Sequence, residues 1–579
     1  MGVQFGCQRG RGLQVTTDSA LGGRNVMSFF EAHRALLDEA VNACRTRAYW
    51  SAFPEIASGK IYGETAKADG EAAFKAILGQ PFDLGQPGES QVGGEVSPYG
   101  NALGTTYASA GVDTIVNASL KAGEGWGRAA IEDRVGVCLE IVDRINKQSF
   151  LMANAVMHTT GQAFMMAFQA GGPHAQDRAL EAIAYAYDEM TRVPHAVNWS
   201  KPQGKAEPIV LDKTWRIVPR GVSLVIGCAT FPTWNGYPAI FASLATGNSV
   251  VIKPHPGAIL PLAITVKIGR EVLKEAGFDP NVLMLAPDNA EAPITQDLVT
   301  HPGIAIVDFT GSSAFGQWVR ENASTNLVFT EEAGINSIVI DSTHDFRGMC
   351  SNIAFSLSLY SGQMCTAPQN MFVPAGGIAT NDGHKSFDDV AVGIAAAIDK
   401  LLGDPDRAAA ILGAVQNQAT TKRVDEARKL GHVVRDSVPV AFAGFDQART
   451  ASPLLLSVDA KDDRAWGEER FGPIAFVIRT ESTEDSIILA SQSAKRKGAI
   501  TASVYSTDDG VIDQAADAFA RAGVALSVNL TGGIYVNQSA AFSDFHVSGA
   551  NPAGNACLTD TAFVANRFRV APLRRQKAA

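Results

Sequence analysis

No stretch of this 579-residue chain is apolar and uncharged for long enough to cross a bilayer, since a spanning helix needs roughly 20 such residues. An excess of basic residues is also missing. Lys and Arg together number 49 against 59 Asp and Glu, a net charge of −10, which argues against nucleic acid or an anionic membrane as partner. Cysteine is sparse: the seven, at 7, 44, 138, 228, 350, 365 and 557, are odd in number and lack the paired spacing of metal ligands. That pattern suits free thiols in a reducing, cytoplasmic compartment and predicts no metal site. Only ten histidines occur, none in a recognisable Cys–His signature, and no internal repeat or low-complexity tract is visible.

What is present reads as globular. Apolar residues make up 46% and charged residues 19%, and the length suffices for two or three domains with large cores. Residues 1–26 are Gly- and Arg-rich without an apolar core, so they are no secretory signal. They are expected to be a disordered leader or an upstream mis-start, with the natural chain beginning at Met27. From Met27 the apolar positions Phe29, Phe30, Leu36, Leu37, Ala40 and Val41 predict an amphipathic helix. Residues 27–80 read as helical, 81–115 as an irregular Gly/Pro/Ser-rich insertion, and Gly125 to Met190 as helical again.

Then strands and helices alternate. Strands are expected at Ser223–Ile226, Ser249–Lys253, Val282–Leu285 and Ile304–Phe309, with helices at Pro238–Thr246, Leu260–Ala276, Ala292–Thr300 and from Ser312 toward Asn322. The fold class is therefore α/β, with a parallel sheet of nucleotide-binding, Rossmann type. The dinucleotide-binding domain is placed at 27–205 and 221–330. A second α/β catalytic domain is placed at 331–550.

Four local patterns carry chemistry. Cys365 lies in Ser361-Gly362-Gln363-Met364-Cys365-Thr366-Ala367, and Glu331 in Phe329-Thr330-Glu331-Glu332-Ala333-Gly334. A thiol nucleophile with a carboxylate that can activate water suits covalent catalysis followed by hydrolysis. Most cysteines are buried and inert, and Glu332 competes with its neighbour as the base. The loop Gly311-Ser312-Ser313-Ala314-Phe315-Gly316 follows a strand and opens a helix, where backbone N–H groups can face a phosphate. The fourth pattern is Glu468-Glu469-Arg470-Phe471-Gly472-Pro473.

In this order and spacing the four elements resemble the aldehyde dehydrogenase superfamily. The resemblance implies a Cys365 thiohemiacetal and thioester, oxidised by NAD or NADP and hydrolysed with Glu331 as base. It selects Glu331 over Glu332. It also implies that Lys253 contacts the adenosine ribose, that Gly311, Ser312 and Gly316 line the pyrophosphate, and that Glu469 and Phe471 hold the nicotinamide side. At Pro256 the family often has a ribose-binding glutamate, so its absence leaves NADP open beside NAD. Thr230 stands where the family has its oxyanion asparagine. The Thr230 hydroxyl, the Cys365 backbone N–H or Asn235 are the candidates to fill that role. Ala239 replaces a frequent lysine. The extended segments 206–220 and 551–579 correspond to an oligomerisation arm, which implies a homodimer or homotetramer.

The segments Glu95–Gly100, Thr230–Asn235 and Lys253–Pro256 look like the PaaN-type branch, associated with bacterial phenylacetate degradation. That branch implies a ring-cleavage semialdehyde, carried as a CoA thioester, as the substrate. Three other readings are a CoA-acylating dehydrogenase, a thiol hydrolase pairing Cys365 with a histidine, and a catalytically impaired relative.

Overall fold

The structure, a computed structural model, describes residues 23–332 and 334–576. The expected leader lies outside the described residues as far as residue 22. A helix already runs over Gly23–Thr46, so it begins before the Met27 start expected for it.

Two parallel sheets organise the chain. The first has five strands in the order Val328–Glu332, Ile304–Gly311, Val222–Ile226, Ser249–Lys253, Leu283–Leu285, and every pairing is parallel. Val222–Ile226 and Ser249–Lys253 are buried at each position, as strands covered by helices on both faces must be. The helix after Val222–Ile226 starts at Pro232, not at Pro238 as the sequence reading had it, and runs to Ala245. A proline in the first helical turn loses no hydrogen bond, because that N–H has no intrahelical partner. The expected helix at Ala292–Thr300 is shorter, Thr295–Thr300. The one after Ile304–Gly311 covers Ser313–Asn322, with Ser312 at its N-cap position.

The second sheet has seven strands, in the order His432–Arg435, Leu454–Asp459, Ile474–Thr480, Pro368–Pro374, Asn336–Ile340, Thr501–Tyr505, Ala525–Val528. Only the outer strand His432–Arg435 runs antiparallel. Glu331 lies on the edge strand of the first sheet, so the chain leaves that sheet after Glu332 rather than at the 330/331 boundary drawn from sequence.

The 81–115 insertion is not wholly irregular. It holds three short strands, Pro81–Phe82, Ser90–Gly93 and Thr106–Ser109, in one sheet. Its buried Glu95 accepts the N–H groups of Ile259 and Leu260 at 2.6 and 3.1 Å and the Tyr107 hydroxyl at 2.5 Å. A carboxylate at the start of helix Leu260–Glu275 meets the positive end of the helix dipole, so the insertion clamps the first sheet's helical layer. Arg270 strengthens the clamp by donating to the carbonyls of Leu84 and Gly85.

A third sheet has three antiparallel strands, Phe568–Gln576, Ala206–Pro219 and Ala196–Gln203. It therefore takes in 196–203, which the sequence reading had left in the first domain. Thr561–Ala565, read as extended, is instead a helical turn, because Asp560 caps it by accepting the Phe563 N–H at 2.7 Å. Between that turn and the last strand, buried Arg567 donates to both oxygens of Asp308 at 2.8 and 2.6 Å.

Candidate active site

The Cys365 loop joins helix Phe346–Ser358 to strand Pro368–Pro374. Tyr360 and Ser361 have φ of 52° and 51°, a left-handed backbone that costs energy outside glycine, and Gly362 follows at 63°. Surrounding bonds hold this bend. Ser361 donates to the carbonyls of Leu412 and Ala451, and Gln363 donates to those of Tyr360 and Ala414. Asn336 donates to the carbonyls of Cys365 and Ala367 at 2.8 and 2.9 Å, while its own oxygen accepts from Ile500 and Thr501 N–H.

These constraints set the thiol beside three polar groups. Cys365 Sγ–H donates to Glu331 Oε1 at 3.5 Å, and His546 Nε2 lies 3.9 Å from the sulfur. His546 Nε2 donates to the same Glu331 oxygen at 2.9 Å, and Asn235 Nδ2 donates to the other at 2.9 Å. Burial first, then the Glu331 charge, pushes the Cys365 thiol well above its usual range. The resting group is therefore a protonated thiol whose proton already points at a carboxylate. The Trp234 ring meets His546 edge-on at 4.6 Å, and Ser539 lies 3.4 Å from its Nδ1.

The sequence reading assigned His546 no role. Chain separation hid it: 181 residues part it from Cys365. Thr230 and Asn235 are sorted by the same geometry. Thr230 meets the Cys228 thiol, and its carbonyl accepts from Gln162 at 2.8 Å. Asn235 instead lines the cavity into which Cys365 opens. The Cys365 backbone N–H also points at its own sulfur.

The other expected residues lie around the carboxyl ends of the first sheet and beside the Cys365 loop. Lys253 Nζ is buried and pairs with Asp288 at 2.7 Å, and burial lowers its pKa. Gly311 and Ser312 end a strand and open helix Ser313–Asn322. A Cβ on Gly316 would meet the Glu332 carboxylate at 2.5 Å, so that glycine lets the helix close on the strand. Glu469 and Phe471 are drawn toward the Cys365 side. Gln369, on the strand after the Cys365 loop, accepts the Arg470 N–H at 2.6 Å and donates to the Glu468 carbonyl at 3.1 Å. A Cβ on Gly362 would lie 2.6 Å from the Gly472 carbonyl, so the two loops touch backbone to backbone. Burial pushes the Glu469 carboxyl up to about 7.

A cavity of 940 Å³ leads to the thiol. Phe231, Trp234, Phe355 and Tyr535 give it aromatic walls, with Met165 and Met364 between them. Arg47, Glu55, His174 and Asp177, from the N-terminal helical region, also line it.

Comparison with known proteins agrees with this geometry. The aldehyde dehydrogenase family model matches residues 96–556. The crystal structure of an NAD-dependent aldehyde dehydrogenase from Burkholderia multivorans is 55% identical, covers 95% of this chain and 99% of its own, and superposes with a TM-score of 0.94. A benzaldehyde dehydrogenase (NAD+) of Pseudomonas putida is 25% identical over 407 residues, 68% of this chain and 76% of that protein. The aldehyde dehydrogenase LUC3 of a Fusarium species is 25% identical over 407 residues, 69% of this chain and 78% of its own length. The α/β fold, the cysteine loop facing a buried glutamate and these likenesses agree: the chain belongs to the aldehyde dehydrogenase family.

Proposed function

We propose that the protein oxidises an aldehyde to its carboxylic acid with a nicotinamide dinucleotide, the acyl group being carried on Cys365. The observation that carries this reading is the approach of Cys365 Sγ, which lines the cavity, to Glu331 Oε1 at 3.5 Å. Glu331 takes the thiol proton as sulfur adds to the carbonyl carbon, giving a thiohemiacetal. Asn235 has a second amide hydrogen free of Glu331, and together with the Cys365 N–H it would receive the developing oxyanion. When bound, the dinucleotide supplies the hydride acceptor. Glu331 passes the thiol proton to solvent, and as a base again it takes a proton from the water that attacks the resulting thioester; the acid leaves and Glu331 returns that proton to the sulfur. His546 keeps Glu331 in place through its 2.9 Å bond. A base this close to the sulfur favours hydrolysis over transfer of the acyl group to CoA.

The residues present suit such a cofactor. The helix start at Ser312–Ser313 favours a pyrophosphate, and Lys253 and Glu469 can bond ribose hydroxyls. The Asp288 carboxylate beside Lys253 replaces the acid that Pro256 lacks. A negative charge there repels a 2′-phosphate, which favours NAD over NADP. The aromatic walls favour an apolar, ring-bearing or ring-derived aldehyde. A CoA-linked semialdehyde, as in the PaaN-type branch, is the finer form of this reading. We take 27–195 with 221–332 as the dinucleotide-binding part and 336–550 as the catalytic part. The exposed strands Ala196–Gln203 and Phe568–Gln576 at the edges of the third sheet support association into a homodimer or homotetramer.

The test is reduction of NAD and of NADP, followed by absorbance, with aromatic, aliphatic and CoA-linked aldehydes. Aldehyde-dependent reduction of NAD, with Asp288→Asn raising the relative use of NADP, is the expected result. Aldehyde-dependent reduction that requires free CoA would overturn the hydrolytic reading.

A further inference from the structure

Cys365, Glu331 and His546 bring three different metal-ligand types together from remote parts of the chain, all donor atoms lying within 4.8 Å of one another. Local spacing does not foretell this, because it pairs none of the three with another. The edges of the donor triangle are 3.5 Å from sulfur to oxygen, 3.9 Å from sulfur to nitrogen and 2.9 Å from nitrogen to oxygen. A tetrahedral Zn2+ with ordinary bond lengths of about 2.3 Å to sulfur and about 2.0 Å to nitrogen and oxygen sets those edges at ~3.5, ~3.5 and ~3.3 Å. The existing triangle is within a few tenths of an ångström of that on every side.

The surroundings also suit an ion. Asn235 already holds the second Glu331 oxygen, and Ser539 lies beside His546 Nδ1. Such outer contacts orient ligands and fix the imidazole tautomer. Cys365 and His546 line the 940 Å³ cavity, which provides an entry path and a water for the fourth position. We propose that this cluster is a reversible binding site for Zn2+ or a similar thiophilic divalent cation, one that shuts the enzyme by capping its nucleophile. Binding forms bonds from the metal to Sγ, Nε2 and Oε1. The thiol proton goes to solvent, and the imidazole proton transfers from Nε2 to Nδ1, where Ser539 can accept it. No electron changes hands, so a chelator reverses the process. The bound ion competes with aldehyde for the sulfur. A second group, His33, Glu140 and Asp143, also has its donor atoms this close, but it offers no sulfur, and Arg144 already binds Glu140 at 2.7 Å.

The experiment is titration of the chelator-treated full chain with Co2+, read by absorption, and with Zn2+ against a chromogenic chelator. One Co2+ per chain is expected, with a thiolate-to-cobalt charge-transfer band and the intense visible bands of tetrahedral cobalt. Cys365→Ser should abolish the charge-transfer band. His546→Gln should weaken Zn2+ binding at least about tenfold, and His33→Gln should change neither. A spectrum without a thiolate band, or one unchanged in Cys365→Ser, would overturn the proposal. A measurement on the unaltered protein guards against misfolded variants: Zn2+ should slow alkylation of Cys365 by iodoacetamide at least about tenfold, and EDTA should restore it. Unchanged alkylation in saturating Zn2+ overturns the proposal as well. None of these readouts depends on aldehyde turnover, so they stand or fall apart from the proposed reaction.

Discussion

Glu331 and Glu332 are neighbours on one edge strand and are almost equally buried, 4% and 3% exposed, yet they serve opposite sides of it. Glu332 turns toward helix Ser313–Asn322, where it pairs with Arg320 and packs over Gly316. Glu331 turns toward the second sheet and meets an amide, an imidazole and a thiol. The alternation of side chains along a strand separates the two. Burial therefore says little about which carboxylate can work. The partners decide: an arginine neutralises one carboxylate in place, while the other faces groups whose protons it can take.

The comparison can be broken most severely at the thiol. Cys365→Ala should lower aldehyde turnover by about 10⁴-fold or more, since Cys365 is the described thiol that bonds Glu331. Glu331→Gln should lower steady-state turnover by about 10²–10⁴-fold and leave a burst of reduced dinucleotide as the thioester accumulates. Glu332→Gln, one residue away, should cost less than about tenfold in turnover but about 1–3 kcal/mol in stability by thermal unfolding, because it weakens a buried polar contact. A burst in Glu332→Gln instead would reverse the assignment of the two carboxylates. Asn235→Ala should cost about 10²–10³-fold in kcat as a lost oxyanion donor, whereas Thr230→Val should cost less than about tenfold; equal losses would return the role to Thr230.

The smallest expected effect concerns Glu469. Its carboxyl is raised by burial from 4.5 to about 7, so the folded state holds a proton that the unfolded state gives up. Its contribution is fully present below about pH 4.5 and is lost as pH rises through about 7. Thermal unfolding of Glu469→Gln should thus gain on the unaltered protein as pH climbs from 5 to 8. In the unaltered protein KM for the dinucleotide should fall over the same range, as the ionised carboxylate becomes a better acceptor of ribose hydroxyls. A KM profile unchanged in Glu469→Gln would remove Glu469 from the cofactor site.

How far the sequence could be read follows from how local each signal was. The strand Ser249–Lys253 was legible to the residue, because Ser249, Val250, Val251 and Ile252 run into a Lys-Pro step. The Cys365 and Glu331 segments were legible because each carries its own glycines. Helix Pro232–Ala245 was misplaced because Gly236 and Pro238 inside it look like breakers, and tertiary burial on both sides overrides them. The turn at Thr561–Ala565 was missed beside a β-rich run, although Asp560 was a readable cap. The contacts of His546 and Asn235 with Glu331 arise from long-range packing, which no local pattern encodes.

The buried pair between Arg567 and Asp308 joins residues 259 positions apart. Asp308 belongs to strand Ile304–Gly311 of the first sheet, while its counter-charge is translated 259 residues later. Until residue 567 clears the ribosome, the half-made sheet holds a carboxylate that burial penalises heavily and nothing neutralises. Completion of the first sheet thus waits on a segment translated well after the sheet's own strands are made.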